Sequence, residues 1–365
     1  MSRYNRHIIL SEIGQAGQDK ISNAKVLVIG AGGLGCPILQ YITAAGVGTV
    51  GIIDFDVVEL SNLQRQVLFG KSSLGKNKAI AAKERLEDLN DAISIMAYPE
   101  PLTHQNAITL FKQYDIIVDG SDNFETRYLV NDACIITKKP LVFGAIYKFE
   151  GQVSVFNHKN GPSYRCLFSN PPEQGSVPNC SEIGVLGVLP GIIGSMQANE
   201  VLKIILNLGD TLSGKVLFYN ALNSKTSTLK IKRNTAMITS VLNEAHSFEN
   251  KQIRLGCTTE VIEVSIAKLI SEKNVQFIDV REVHELPKVT DLNITNMPLS
   301  TLETNLHHIE LSKKKALFCK SGMRSKHAVK VLQELGIKNC CSIPEGASEI
   351  NNYIKTHNKT VSNAK

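Results

Sequence analysis

A chain of 365 residues, 43% apolar and 20% charged, can bury cores for two domains, which excludes a disordered tail or a fibrous repeat. Net charge is +6 with the basic residues scattered, apart from Lys313-Lys314-Lys315, which reads as a solvated turn. That balance argues against a nucleic-acid binder and suits an acidic protein partner. The basic, polar start Met1 to Arg6 carries no secretory pattern, and the longest apolar run, Ile183 to Met196, is broken by glycines and a proline, so no membrane span is expected. Eight irregularly placed cysteines suit reduced thiols and a cytoplasmic setting rather than a disulfide framework.

In chain order, Val26-Leu27-Val28-Ile29 reads as a buried strand ending at Gly30, and Ile38 to Ala45 as the helix after it. Val50 to Ile53 is a strand ending at Asp54, and Lys78 to Leu89 has helical spacing. Asp115 to Asp119 and Leu141 to Phe143 are further strands. This alternation predicts an α/β fold, Rossmann-like, with a doubly wound, mostly parallel sheet. Gly151 to Phe156 and Lys215 to Lys230 alternate in polarity and predict an antiparallel extension. Periodicity fades from about Asn234 to Thr258. The expected layout is a larger α/β domain over 1–240, a linker over 241–257 and a smaller α/β domain over 258–360. In the latter, Ile266 to Ser271 reads as a helix, Val275 to Val280 and Ala316 to Cys319 as strands, and Lys326 to Leu335 as a helix closed by Gly336. His357 to Lys365 reads as a frayed end.

Gly30-Ala31-Gly32-Gly33-Leu34-Gly35 joins the first strand to its helix. Such glycines permit a tight turn and let phosphates approach backbone N–H groups at a helix N-terminus, with Asp54 placed for a ribose. Alone, this is a generic dinucleotide fingerprint. The polar segment Asp54 to Gln66 changes the reading, because Asn62 and Arg65 reach toward a polyphosphate and Lys78 adds a second cation. Asp122-Asn123, beyond the strand ending at Asp119, offer hard oxygen ligands for Mg²⁺. Two cations and a Mg²⁺ carboxylate suit ATP.

Arg3-Tyr4-Asn5-Arg6, Gly30 to Pro37, Ala45-Gly46-Val47-Gly48, Ser61 to Gln66, Ser121-Asp122-Asn123 and Gly184-Val185-Leu186-Gly187 resemble the ubiquitin-activating superfamily, in its bacterial MoeB/ThiF/HesA branch. The resemblance implies ATP-dependent adenylation of the C-terminal glycine of a ubiquitin-like sulfur carrier ending in Gly-Gly. It assigns Asp54 to the ribose, Gly33 to the nucleotide loop, Asp122 to Mg²⁺, and Ser61, Asn62, Leu63, Gln64, Arg65 and Lys78 to the phosphates. Arg6 resembles the residue that reaches the γ-phosphate from a second subunit, which implies a homodimer. Cys180 matches the crossover cysteine. Relatives carry two C-x-x-C pairs binding zinc, but here the first reads Ser163-Tyr164-Arg165-Cys166 and Asn234 to Ser240 holds no cysteine, so no zinc site is expected. Cys36 and Cys134 read as core thiols.

Cys319-Lys320-Ser321-Gly322-Met323-Arg324 follows the apolar run Ala316 to Phe318. A loop with a leading Cys and a closing Arg is an anion cradle whose N–H groups and guanidinium favour a thiolate. Arginine stands five positions after the cysteine, one fewer than in tyrosine-phosphatase loops, and here the sequence resembles the rhodanese family. Phe277-Ile278-Asp279-Val280-Arg281-Glu282, Met297-Pro298-Leu299 and Glu345-Gly346 fit further positions of that family, with Arg281 and Glu282 read as structural. Cys257, Cys340 and Cys341 receive no role.

Together these readings imply an adenylyltransferase in which a Cys319 persulfide, loaded by a donor such as a cysteine desulfurase, attacks the acyl-adenylate, with Cys180 the candidate for releasing the thiocarboxylate. The sequence does not identify the carrier, since those feeding molybdopterin, thiamine, tRNA thiolation or cysteine synthesis all end in Gly-Gly; molybdopterin is the first choice. Two alternatives stand beside this. In one, the C-terminal domain only docks or senses sulfur donors; in the other, an NAD-linked Rossmann enzyme carries a regulatory rhodanese domain.

Overall fold

A computed structural model describes residues 3–172, 184–250, 261–290, 292–320 and 322–362. The chain divides into two compact units, 1–252 and 253–365.

The first unit is built on an eight-stranded sheet. Its strands are β1 (Lys25–Ile29), β2 (Thr49–Ile53), β3 (Ser94–Tyr98), β4 (Ile116–Asp119), β5 (Leu141–Tyr147), β6 (Glu150–Phe156), β7 (Lys215–Asn220) and β8 (Lys225–Lys230). Their order is β3-β2-β1-β4-β5-β6-β7-β8. The first five run parallel, as strands buried on both faces and joined by helical crossovers should, and the last three are antiparallel. The register switches sides at β1, which pairs β2 on one edge and β4 on the other, so a crevice opens beyond its carboxyl end. Val26, Val28, Val50, Ile52 and Val118 join the helix residues Ile38, Leu39 and Ile42 and the later helix residues Ile193 and Val201 in one core.

The stretch read as unperiodic holds a helix, Thr235–Asn243, whose first turn is capped by the Asn234 side chain, and a 3-10 helix, Ala245–Asn250. Ile238, Val241 and Phe248 are buried, too few apolar positions to show as a period yet enough to anchor the segment.

The second unit carries β9 (Val275–Asp279), β10 (Ile294–Asn296), β11 (Lys314–Phe318) and β12 (Cys340–Ser342), all parallel in the order β10-β9-β11-β12. Alternate residues feed two cores. Ile278, Leu317 and Cys319 pack with Ala328 and Leu332, whereas Phe277, Ala316, Phe318 and Cys341 pack with Ile350 and Ile354. The sheet is thus covered on both faces. Lys315 corrects one expectation. It lies in β11 at 1% exposure, not in a solvated turn, because its ammonium donates to the carbonyls of Leu311 and Lys338. The last helix, Ala347–Ser362, continues well beyond the residue where fraying was expected to begin. Among the described residues no helix is long and apolar enough to cross a membrane.

Candidate active sites

In the first unit, β1 delivers Gly30 at φ +88°, where a Cβ would lie 3.1 Å from the Gly120 carbonyl oxygen. Gly35 opens the helix Gly35–Ala45, and its Cβ would sit 2.0 Å from the Gly30 oxygen, so only glycine lets the helix start against the loop. Gly33 packs on Pro190, while a Cβ at Gly32 would meet only Gln66, at 3.8 Å. The loop is held open by Asp54. One of its carboxylate oxygens accepts the Ala31 N–H at 2.7 Å and the other accepts the Asp56 N–H at 2.9 Å. Burial pushes the Asp54 carboxyl up, against the pull of the Ala31 N–H and the Lys78 ammonium.

Lys78 is 7% exposed, and its ammonium is 2.9 Å from the Asp56 carboxylate. Asn77 caps the helix Lys78–Leu89 and donates to the carbonyls of Asp54 and Asp56, tying that helix to the loop after β2. The turn Leu60–Asn62 is closed by a reciprocal cap between Glu59 and the buried Asn62. Arg65 donates to the Ser61 carbonyl at 3.2 Å, Ser61 and Gln64 are exposed, and Leu63 packs against the core. A Cβ at Gly187 would fall 2.5 Å from the Gln64 side-chain oxygen, so Gly184 to Gly187 closes over this turn. Asp122 is exposed beyond β4, whereas the Asn123 side chain accepts the Thr126 N–H and caps the helix Phe124–Thr137. Sequence reading brought these residues to one crevice but missed two. Asp56 is the counterion of Lys78, and its place two residues beyond Asp54 was the available signal. Gln66 is 3% exposed with its side-chain oxygen unpartnered, beside Gly32. The atom of Gln66 that faces Gly32 is its amide nitrogen, a donor at the glycine loop.

Arg6 is exposed on the short helix Asn5–Ile8. Its neighbours fix it. Tyr4 lies against Gly46, where a Cβ would be 2.5 Å from the ring, and accepts from Asn90, while Arg3 donates to the Leu89 carbonyl. These partners precede β2 and β3, so Arg6 stands at the opposite end of its own sheet from the glycine loop.

The corner at Ser163 to Cys166, where no zinc site is expected, is tied by hydrogen bonds. The Cys166 sulfur accepts the N–H groups of Ser163 at 3.3 Å and Asn234 at 3.2 Å, with the Ser163 hydroxyl at 3.4 Å. Tyr164 beside it is buried among Tyr128, Phe143, Phe156 and Phe168. Cys36 and Cys134 are fully buried, and burial raises the Cys36 thiol to about 12 and the Cys134 thiol as well. Cys180, Cys257 and Ser321 lie outside the described residues.

In the second unit, Cys319 sits at the carboxyl end of β11, 1% exposed, its sulfur 3.7 Å from the Ser325 hydroxyl. Ser325 is held by the Gly322 carbonyl and the Ser342 hydroxyl, each at 2.9 Å. Gly322, at φ +80°, turns the loop into the helix Met323–Glu334, whose N-terminus faces it. A Cβ at Gly346 would lie 2.2 Å from the Lys320 carbonyl oxygen, and the Ala347 N–H donates to the Cys319 carbonyl, so the turn from β12 into the helix Ala347–Ser362 backs the loop. Asp279 and Arg281 form a buried two-pronged ion pair at 2.7 and 2.9 Å, in keeping with the structural role read for Arg281. Arg324, expected to close the cradle, grips Glu285 through two bonds of 2.5 and 2.8 Å. Its guanidinium holds the Glu285 carboxyl at about 2. Glu285 was missed because it lies 39 residues from Arg324 in sequence, and only the fold joins them.

A glycine loop at the switch point of a doubly wound sheet, with flanking Asp, Asn, Arg and Lys, defines a nucleotide-handling α/β enzyme, and the chain matches the ThiF family over residues 4–239. It belongs to that family. It is 51% identical over 239 residues to the sulfur carrier protein adenylyltransferase of Thermus thermophilus, covering 64% of this chain and 88% of that one. It is 40% identical over 359 residues to the probable adenylyltransferase/sulfurtransferase MoeZ of Mycobacterium tuberculosis, covering 95% and 91%. To the adenylyltransferase and sulfurtransferase MOCS3 of Xenopus laevis it is 40% identical over 366 aligned positions, covering 91% and 81%. Among solved structures, Escherichia coli MccB with ATP shares the fold at a TM-score of 0.58, 23% identity, over 66% of this chain and 75% of that one.

Proposed function

We propose that the first unit adenylates the C-terminal glycine carboxylate of a ubiquitin-like sulfur carrier and that the second delivers sulfur to it. The observation that carries this reading is a likeness to adenylyltransferase/sulfurtransferases that runs through both units, over 359 residues. In the first step the carrier carboxylate attacks the α-phosphorus of ATP, and pyrophosphate leaves. The N–H groups at the start of Gly35–Ala45 and the cations Arg65 and Lys78 stabilise charge that grows on the leaving oxygens. Asp54 orients the ribose, with Ser61, Asn62, Leu63 and Gln64 shaping the polyphosphate wall. Asp122 would hold Mg²⁺, which would neutralise the phosphates. Arg6, fixed at the far end of its own sheet, serves the crevice of a partner in a homodimer.

A persulfide on Cys319 then attacks the acyl carbon, expelling AMP and leaving an acyl disulfide. A second thiolate, assigned to Cys180, attacks the Cys319 sulfur of that bond, freeing the carrier thiocarboxylate and leaving a protein disulfide for cellular thiols to reduce. The sulfur comes from a protein persulfide of the cysteine desulfurase type, in the reducing cytoplasm, and the carrier feeds molybdopterin synthesis. The test is a pair of assays on the full chain with a Gly-Gly carrier. Carrier-dependent exchange of labelled pyrophosphate into ATP is expected for wild type and Cys319→Ala alike, and thiocarboxylate for wild type alone. Thiocarboxylate made by Cys319→Ala at the normal rate would reject the sulfur-transfer half, and absence of exchange would reject the adenylation half.

A further inference from the structure

We propose that Glu285 is a specificity-determining residue that, by occupying Arg324, turns the Cys319 loop away from small dianionic sulfur donors and toward sulfane sulfur carried on a thiol. The proposal rests on the reading of Cys319 as a sulfur acceptor. Its basis is geometric. Arg324 closes the loop that Cys319 opens, and its two prongs meet both oxygens of one carboxylate at 2.5 and 2.8 Å, the arrangement a bound anion would otherwise take. Glu285 is itself fixed, because its carboxylate also accepts the Glu282 N–H at 2.9 Å, and Glu282 accepts from the Ser300 hydroxyl. Both partners are 21% exposed, so the pair is sheltered from the screening that makes surface pairs weak. Glu285 stays ionised, since Arg324 holds its carboxyl at about 2. Of the other cations, Arg281, which also acts on Glu285, is paired with Asp279, Lys288 donates to the Val283 carbonyl, and Lys320 is exposed on the loop, where salt screens it.

The two donor classes differ in what they ask of the loop. With thiosulfate, the Cys319 thiolate attacks the outer sulfur, the S–S bond breaks, the persulfide keeps the negative charge and sulfite leaves as a dianion. Binding and departure of that dianion need an available cation. With an alkyl persulfide, the thiolate attacks the terminal sulfur and a thiol leaves with one proton, and no dianion forms. A carboxylate already on Arg324 penalises the first path and spares the second.

The test uses the full chain, with thiosulfate and cysteamine persulfide as donors and cyanide as acceptor. In Glu285→Gln the ratio of kcat/KM for thiosulfate to that for cysteamine persulfide is expected to rise at least tenfold, the size of one charge-assisted contact. The gain should lie mainly in the KM for thiosulfate, shrink at high salt, and vanish in Glu285→Gln combined with Arg324→Gln. A merely structural role would move both donors together. An unchanged ratio, an equal change for both donors, or a gain that survives loss of Arg324 overturns the inference. No transfer from either donor by wild type and variant alike removes the reading of Cys319 itself.

Discussion

Replacing Arg281 by Met would leave the Asp279 carboxylate, 3% exposed, without the guanidinium that meets both its oxygens at 2.7 and 2.9 Å. Met matches the stem of arginine in length and keeps apolar contact with Phe318, whose ring centre lies 5.9 Å from the guanidinium carbon. Lost packing is therefore small, and the cost is that of an uncompensated buried charge, about 3–5 kcal/mol. Removing both charges in Asp279→Leu with Arg281→Met should return most of that loss, because a buried ion pair recovers little more than its own desolvation. The chain has no tryptophan, so the assay is hydrogen exchange by mass spectrometry, read on peptides spanning β9 and β11. The single variant should exchange roughly a hundredfold faster there or more, at about 1.4 kcal/mol per tenfold. The double variant should lie within about tenfold of wild type. If single and double variants exchange alike, the burial argument fails.

Further expectations concern the other sites. Gly35→Ala places a Cβ 2.0 Å from the Gly30 oxygen and should abolish ATP binding in equilibrium dialysis, whereas Gly191→Ala, where nothing lies within 4 Å, should not. Cys166→Ala removes the acceptor of the Ser163 and Asn234 N–H groups and should lower the stability of that corner by about 1–3 kcal/mol, seen as faster exchange in Thr235–Asn243. Metal analysis of the purified protein should find well below one zinc per chain; about one per chain would reverse the reading of that corner. For Glu285 the folded-state carboxyl is depressed to about 2. Its contribution is therefore complete above the ordinary carboxylate range and is lost as pH falls from about 4.3 toward 2, so Glu285→Gln should flatten an acid titration of the second unit in that window.

Much of this was legible because local chemistry and tertiary role coincide. Gly30, Gly35 and Asp54 are dictated by backbone conformation, close approach and hydrogen bonding within one strand-turn-helix, and β1 through β5 announce themselves as β-branched runs. The relations that escaped are the long-range ones. Glu285 is an ordinary acid until β9 and β11 bring it to Arg324, and Lys315 looks like a surface cation until two carbonyls enclose it. The helix Thr235–Asn243 shows too few buried residues to display a period, and its clearest signal was the cap at Asn234.

The position of β1 has a consequence for synthesis on the ribosome. Its partners are β2, which follows closely, and β4, which ends at Asp119. Until that much chain has emerged, β1 has one bare edge, and the Gly120 carbonyl that Gly30 must approach does not yet exist beside it. The glycine loop thus cannot be completed until the 90 residues after Gly30, through Gly120, have followed it. A nascent chain stalled before Asp119 should present an apolar strand edge to chaperones and be unable to recognise a nucleotide.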